Sequence, residues 1–175
     1  MEAVPIATYW ADEPNLVREW EIDYDQLVTF DKTLCIKNGM LSCCFFFGLC
    51  LPFLPCELDN IRDLDRAQHV AITRDGIRYS VDKHKMGCRC DCLDAGKETK
   101  TVPFDKITDC DIREPGGSSG PICCLEKNVI YTVVVDTASS GGGREGVPAH
   151  ELMIRGLRDP KGFKEMVWQM KRVSC

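Results

Sequence analysis

The feature that most limits what this chain can become is an uncharged, apolar run between Lys37 and Glu57, Gly39-Met-Leu-Ser-Cys-Cys-Phe-Phe-Phe-Gly-Leu-Cys-Leu-Pro-Phe-Leu-Pro55, followed by Cys56. As a helix the run from 39 to 55 reaches roughly 25 Å, against about 30 Å of bilayer hydrocarbon. Pro52 and Pro55 break its C-terminal half. A buried core element, a full transmembrane helix and a shallow or re-entrant membrane insertion all compete for it, and the length and the prolines favour the insertion. Phe45, Phe46, Phe47, Leu49, Leu51, Phe53 and Leu54 are the expected inserting side chains, because an exposed Phe-Phe-Phe surface needs a cover.

Cysteine placement agrees. Cys43, Cys44, Cys50 and Cys56 lie in or beside the run. Such thiols are candidates for S-acylation, and a second acyl chain makes membrane attachment stable. The opposing reading is that buried cysteine is simply a small apolar residue. The chain holds twelve cysteines, yet its start, MEAVPIATYWADEPNL, has neither a basic beginning nor an apolar run. That predicts reduced thiols and a chain facing the cytosol rather than a secreted disulfide scaffold.

Charge divides the chain. Residues 1–38 carry eight acidic and three basic groups, whereas residues 57–175 carry equal numbers of each sign, so the net charge of −5 sits in the N-terminal arm. A general affinity for nucleic acid is not expected. The arm is dotted with aromatics (Tyr9, Trp10, Trp20, Tyr24, Phe30), and its simplest reading is a segment packed on its own domain. Asn15–Trp20 and Tyr24–Phe30 each suit a short helical or extended piece.

From residue 57 the texture changes twice. Residues 57–68 read as a linker or short helix, with Leu58, Ile61 and Leu64 as an apolar stripe. From residue 69 to 175 short β-type runs alternate with turn signals. Residues 69–82 predict a hairpin around Asp75-Gly76. Residues 97–103 and 104–112 predict strand, turn, strand, with Val102, Ile107 and Ile112 in the core. Residues 122–125, 128–136 and 149–156 supply further strands. Asp159 and Pro160 open a final helix whose Phe163, Met166, Val167 and Met170 share a face. Six or seven antiparallel strands and one terminal helix predict a mainly β fold, a small barrel or half-barrel closed by the helix.

Three blocks carry a resemblance: Ile72-Thr73-Arg74-Asp75-Gly76-Ile77-Arg78-Tyr79, Lys100-Thr101-Val102-Pro103-Phe104-Asp105-Lys106-Ile107-Thr108-Asp109, and Val133–Thr137 with Glu151–Ile154 and Gly156-Leu157-Arg158-Asp159-Pro160. Over residues 66–172 and the preceding apolar segment the chain resembles the bacterial-type PH-like domain family, whose members follow membrane segments. The resemblance implies a PH-like barrel with a C-terminal helix and no enzymatic activity. The cysteine clusters, the glycine-rich 137–148 stretch and the short anchor depart from that family's pattern.

Two further constellations stand out. Cys88, Cys90 and Cys92 alternate, so an extended strand turns their thiols to one side, and Cys123 and Cys124 or His84 can complete a zinc site. Disulfide, acylation and incidental thiols remain alternatives. Arg78, Lys83, Lys85 and Arg89, with Arg74 and His84 nearby, are candidates for a phosphoinositide headgroup, though Asp75, Asp82 and Asp91 interrupt them. No catalytic set is apparent. The expectation is a non-enzymatic, membrane-associated PH-like adaptor, with its β domain on the cytoplasmic side and a protein partner. The alternatives are a soluble subunit that buries the run in an interface, and a zinc or thiol-redox module.

Overall fold

In the computed structural model, residues 9–45, 54–87, 94–114, 130–137 and 152–174 are described. The elements run β1 (Leu16–Trp20), α1 (Tyr24–Phe45), α2 (Leu54–Arg66), β2 (Gln68–Thr73), β3 (Gly76–Val81), β4 (Glu98–Pro103), a 3-10 turn (Phe104–Lys106), β5 (Ile107–Arg113), β6 (Thr132–Thr137), β7 (Leu152–Arg155) and α3 (Pro160–Ser174). Two antiparallel sheets form, in the orders β1-β2-β3-β4 and β5-β6-β7. They make no closed barrel among the described residues.

The first and last parts of the chain meet at one corner of the sheets. Ile22 bridges Leu157, Asp23 N–H donates to the Gly156 carbonyl at 2.8 Å, and Arg158 N–H donates to the Glu21 carbonyl at 3.1 Å. Gly156 has φ +73°, and a Cβ there would lie 3.3 Å from the Leu27 Cβ. Both the left-handed backbone and the space therefore call for glycine. α3 lies on β5 and β6 and buries Phe163 and Val167. Phe163 meets Trp20 of β1 edge-to-face, with centroids 5.3 Å apart. The Asp159 carboxylate caps α3 by accepting from Gly162 N–H at 2.9 Å.

The acidic arm is built into the domain. β1 pairs with β2, and Trp20, Ile22, Leu27 and Phe30 join the core around Val70, Ile72 and Phe104. Residues 9–15 lie across the outer face of the four-stranded sheet. Tyr9 stacks on His69 at 3.7 Å, Glu13 pairs with Arg78, and the Asn15 amide donates to Asp75 at 2.8 Å. This strap explains why Val70, Ala71 and Ile72 of β2 are all fully buried, where alternation predicts one wet face.

The two ends of the apolar run belong to helices that extend beyond it. Its residues 39–45 complete α1, and its residues 54–56 open α2. α1 starts where the Asp23 side chain accepts from Gln26 N–H at 3.1 Å. Among the described residues no helix is long and apolar enough to cross a membrane. α1 and α2 pack chiefly on each other, as a helical hairpin inserted between β1 and β2.

Residues 57–66 are helical, as part of α2, and residue 68 opens β2; the inward face of the helix differs from the Leu58-Ile61-Leu64 stripe. Leu64 is 41% exposed, whereas Asn60 and Asp65 are buried. Polar partners inside explain the inversion. The Asn60 amide donates to the Gly87 carbonyl at 2.7 Å, and Asp65 faces Asp31 and Arg155.

Candidate functional site

The hairpin base joins three elements. Asp31 of α1 accepts two hydrogen bonds from the Arg155 guanidinium at the end of β7, at 2.8 and 2.5 Å. The guanidinium also lies 6.0 Å from the centre of the Phe30 ring. Asp65 of α2 is 2% exposed, and its Oδ2 has no hydrogen-bond partner among the described residues. Burial and the neighbouring Asp31 carboxylate push the Asp65 carboxyl up to about 7, Arg155 opposing them. Below the pair, Tyr79 O–H donates to the Gln68 side-chain oxygen at 3.1 Å and Tyr24 O–H donates to the Gln68 carbonyl at 2.7 Å. Burial, with Glu98 next, pushes Tyr79 up to about 12. The chemistry available here is retention and release of one proton near neutrality between two helices.

The strap makes a second polar cluster. Tyr9 O–H donates to Asp82 at 2.6 Å and accepts from the Lys97 ammonium at 2.6 Å. His69 lies 3.5 Å from Asp82. Burial lowers the His69 imidazole below its ordinary value, against an opposing pull from Asp82. Burial alone would raise Asp82, but the hydrogen bonds from Tyr9 and Lys97 outweigh it and hold the carboxyl low. An open cavity of about 230 Å³ sits beside Tyr9, Ser80, Lys97 and Thr99. The polar groups of this cluster bond to one another, which makes it a fastening for residues 9–15.

The residues singled out from sequence fall into three sets. Cys43, Cys44 and Phe45 lie on the last turns of α1, and Leu54 begins α2. Phe46, Phe47, Leu49, Cys50, Leu51 and Phe53 are outside the described residues, and Cys56 is half-buried on α2. Of the headgroup candidates, Arg78 pairs with Glu13 of the strap, while Lys83 and Lys85 both pair with Asp94, at 3.3 and 3.1 Å. Arg89, Cys88, Cys90, Cys92, Cys123 and Cys124 lie outside the described residues, and among the described ones no group of three His, Cys, Asp or Glu side chains could hold a metal. Burial pushes the Cys110 thiol up to about 11, consistent with a core role.

Sequence reasoning missed Tyr9, Asp31, Asp65 and Arg155. Each looks like an ordinary surface residue in its own segment, and only the meeting of distant elements makes the group. Comparison with family models, with curated proteins and with solved structures finds no match to this chain.

Proposed function

We propose that this protein is a non-catalytic, PH-like adaptor held at the cytoplasmic face of a membrane by a one-sided, re-entrant hairpin. The observation that carries the reading is the pairing of β1 with β2, Trp20 opposite Val70, across the apolar run. A single span through residues 39–56 would place those strands on opposite sides of the bilayer and destroy their sheet. Two full passes need about 40 apolar residues, and the uncharged run between Lys37 and Glu57 is about half that. An insertion that enters and leaves on one side satisfies both facts. Acylation at Cys43, Cys44, Cys50 or Cys56 would supply the second attachment signal.

The PH-like reading is supported by the four-plus-three strand order and the terminal helix. It also suggests where a partner protein docks. β5 is an edge strand among the described residues. Ile112, Lys164, Trp168 and Arg172 line a groove of about 550 Å³ between it and α3, suited to an added extended segment.

The test is membrane fractionation of the full chain beside a variant in which Cys43, Cys44, Cys50 and Cys56 are all serine. Release of the variant alone supports an acylated, shallow anchor. Carbonate-resistant pelleting of both supports insertion by the apolar side chains. Recovery of both as soluble protein overturns the membrane reading and favours a subunit that buries the run against another chain.

A further inference from the structure

We propose that Asp31, Asp65 and Arg155 form a one-proton latch that holds the base of the helical hairpin against β7 and loosens when that proton leaves. The latch is a property of the domain and needs no membrane, so it stands apart from the anchoring reading.

Its geometry is asymmetric. Each helix contributes one carboxylate, Asp31 from α1 and Asp65 from α2, and β7 contributes the facing cation, Arg155. Arg155 gives a hydrogen bond from each terminal nitrogen to Asp31. Asp65 therefore lies almost without solvent contact, with an oxygen that no donor reaches among the described residues. The Asp31 carboxyl is the charged neighbour that acts on it most strongly. One proton resolves the site. Protonated Asp65 donates to Asp31, and the pair then carries one negative charge against one positive charge. Without the proton, two carboxylates face one guanidinium across the helix interface. Their repulsion in a water-poor site is relieved by moving α2 away from α1 and β7.

The surroundings offer little compensation. From β3, Tyr79 presents a phenol that is already bonded to Gln68, with Glu98 of β4 adding negative charge beyond it. On α2 itself, Arg62 is engaged by Asp59 and Asp63, and Arg66 by Asp25 of α1. The proton belongs to the pair as a unit, and the value of about 7 for Asp65 places its loss in the physiological range.

The experiment is backbone hydrogen exchange of the full chain at pH 6 and pH 8, corrected for intrinsic base catalysis, beside the Asp65→Asn variant. The wild type is expected to exchange its α1 and α2 amides about tenfold faster at the higher pH, whereas the variant, neutral throughout, shows no such change. Equal pH dependence in both overturns the latch. Should the variant fail to fold, the infrared carbonyl band of a protonated carboxylic acid decides on the wild type alone. A band present at pH 6 and lost by pH 8 supports the latch, and its absence at pH 6 overturns it.

Discussion

Trp20 of β1 stands opposite Val70 of β2 in one antiparallel ladder, although the whole helical hairpin separates them in the chain. Both ends of the hairpin therefore belong to one sheet. In sealed vesicles an N-terminal epitope tag and a C-terminal one are expected to be cleaved by protease from the same side. Cleavage of one tag alone would sink the one-sided arrangement. Trp20→Ala, which also removes the edge-to-face contact with Phe163, is expected to cost about 3–5 kcal/mol in urea unfolding.

Gly156 closes the corner between β7 and α1 with a positive φ and a tight approach to Leu27. Gly156→Ala is expected to destabilise by roughly 1–3 kcal/mol, because the left-handed backbone costs a residue with a Cβ about 1–2 kcal/mol and Leu27 must also yield. Thermal unfolding of the full chain reads this directly. An unchanged midpoint would show that the corner does not need its glycine.

Asp65 has a folded-state value of about 7, above its ordinary 3.8. A group raised on folding contributes stability that is complete below the ordinary value and is lost as pH rises through the folded one. The wild type is thus expected to lose stability between about pH 4 and pH 7 from this site. Asp65→Asn should be more stable than the wild type at pH 8, by about 1–3 kcal/mol, and gain nothing at pH 4. Denaturant midpoints at the two pH values check the sign.

The strap responds in the opposite direction. Asp82 is held low and His69 is also lowered. Each stabilises the fold above its ordinary value and loses that contribution as pH falls through its folded value. Acidification should free residues 9–15, seen as faster proteolysis within them. Asp82→Asn should weaken the strap at neutral pH by no more than about 1 kcal/mol, since the carboxylate is partly exposed.

The Asp75-Gly76 signal located a real hairpin for a reason that differs from the expected one. Arg74 and Asp75 form the two-residue turn between Thr73 and Gly76. Gly76 lies in β3 without a positive φ, and a Cβ on it would collide with the Val102 carbonyl of β4. The glycine answers to a third strand that the local sequence does not mention.

The sequence by itself determined the elements whose faces repeat with a short period. These are the β2–β3 hairpin, the successive strands β4 and β5 with Val102 and Ile107 inward, the valine-rich β6, and the Asp159-capped α3. Alternation and helical spacing encode such faces within a few residues, so they are legible locally. It left residues 15–30 undecided and assigned α2 the wrong inner face. It also offered no hint that Asp31, Asp65 and Arg155 meet. Only the tertiary structure decided these points. It decided too that both ends of the apolar run return to one sheet. Strand pairing across a long insertion and charge clustering among three elements are long-range contacts, and their free energy appears only when distant segments are brought together and water is excluded from between them.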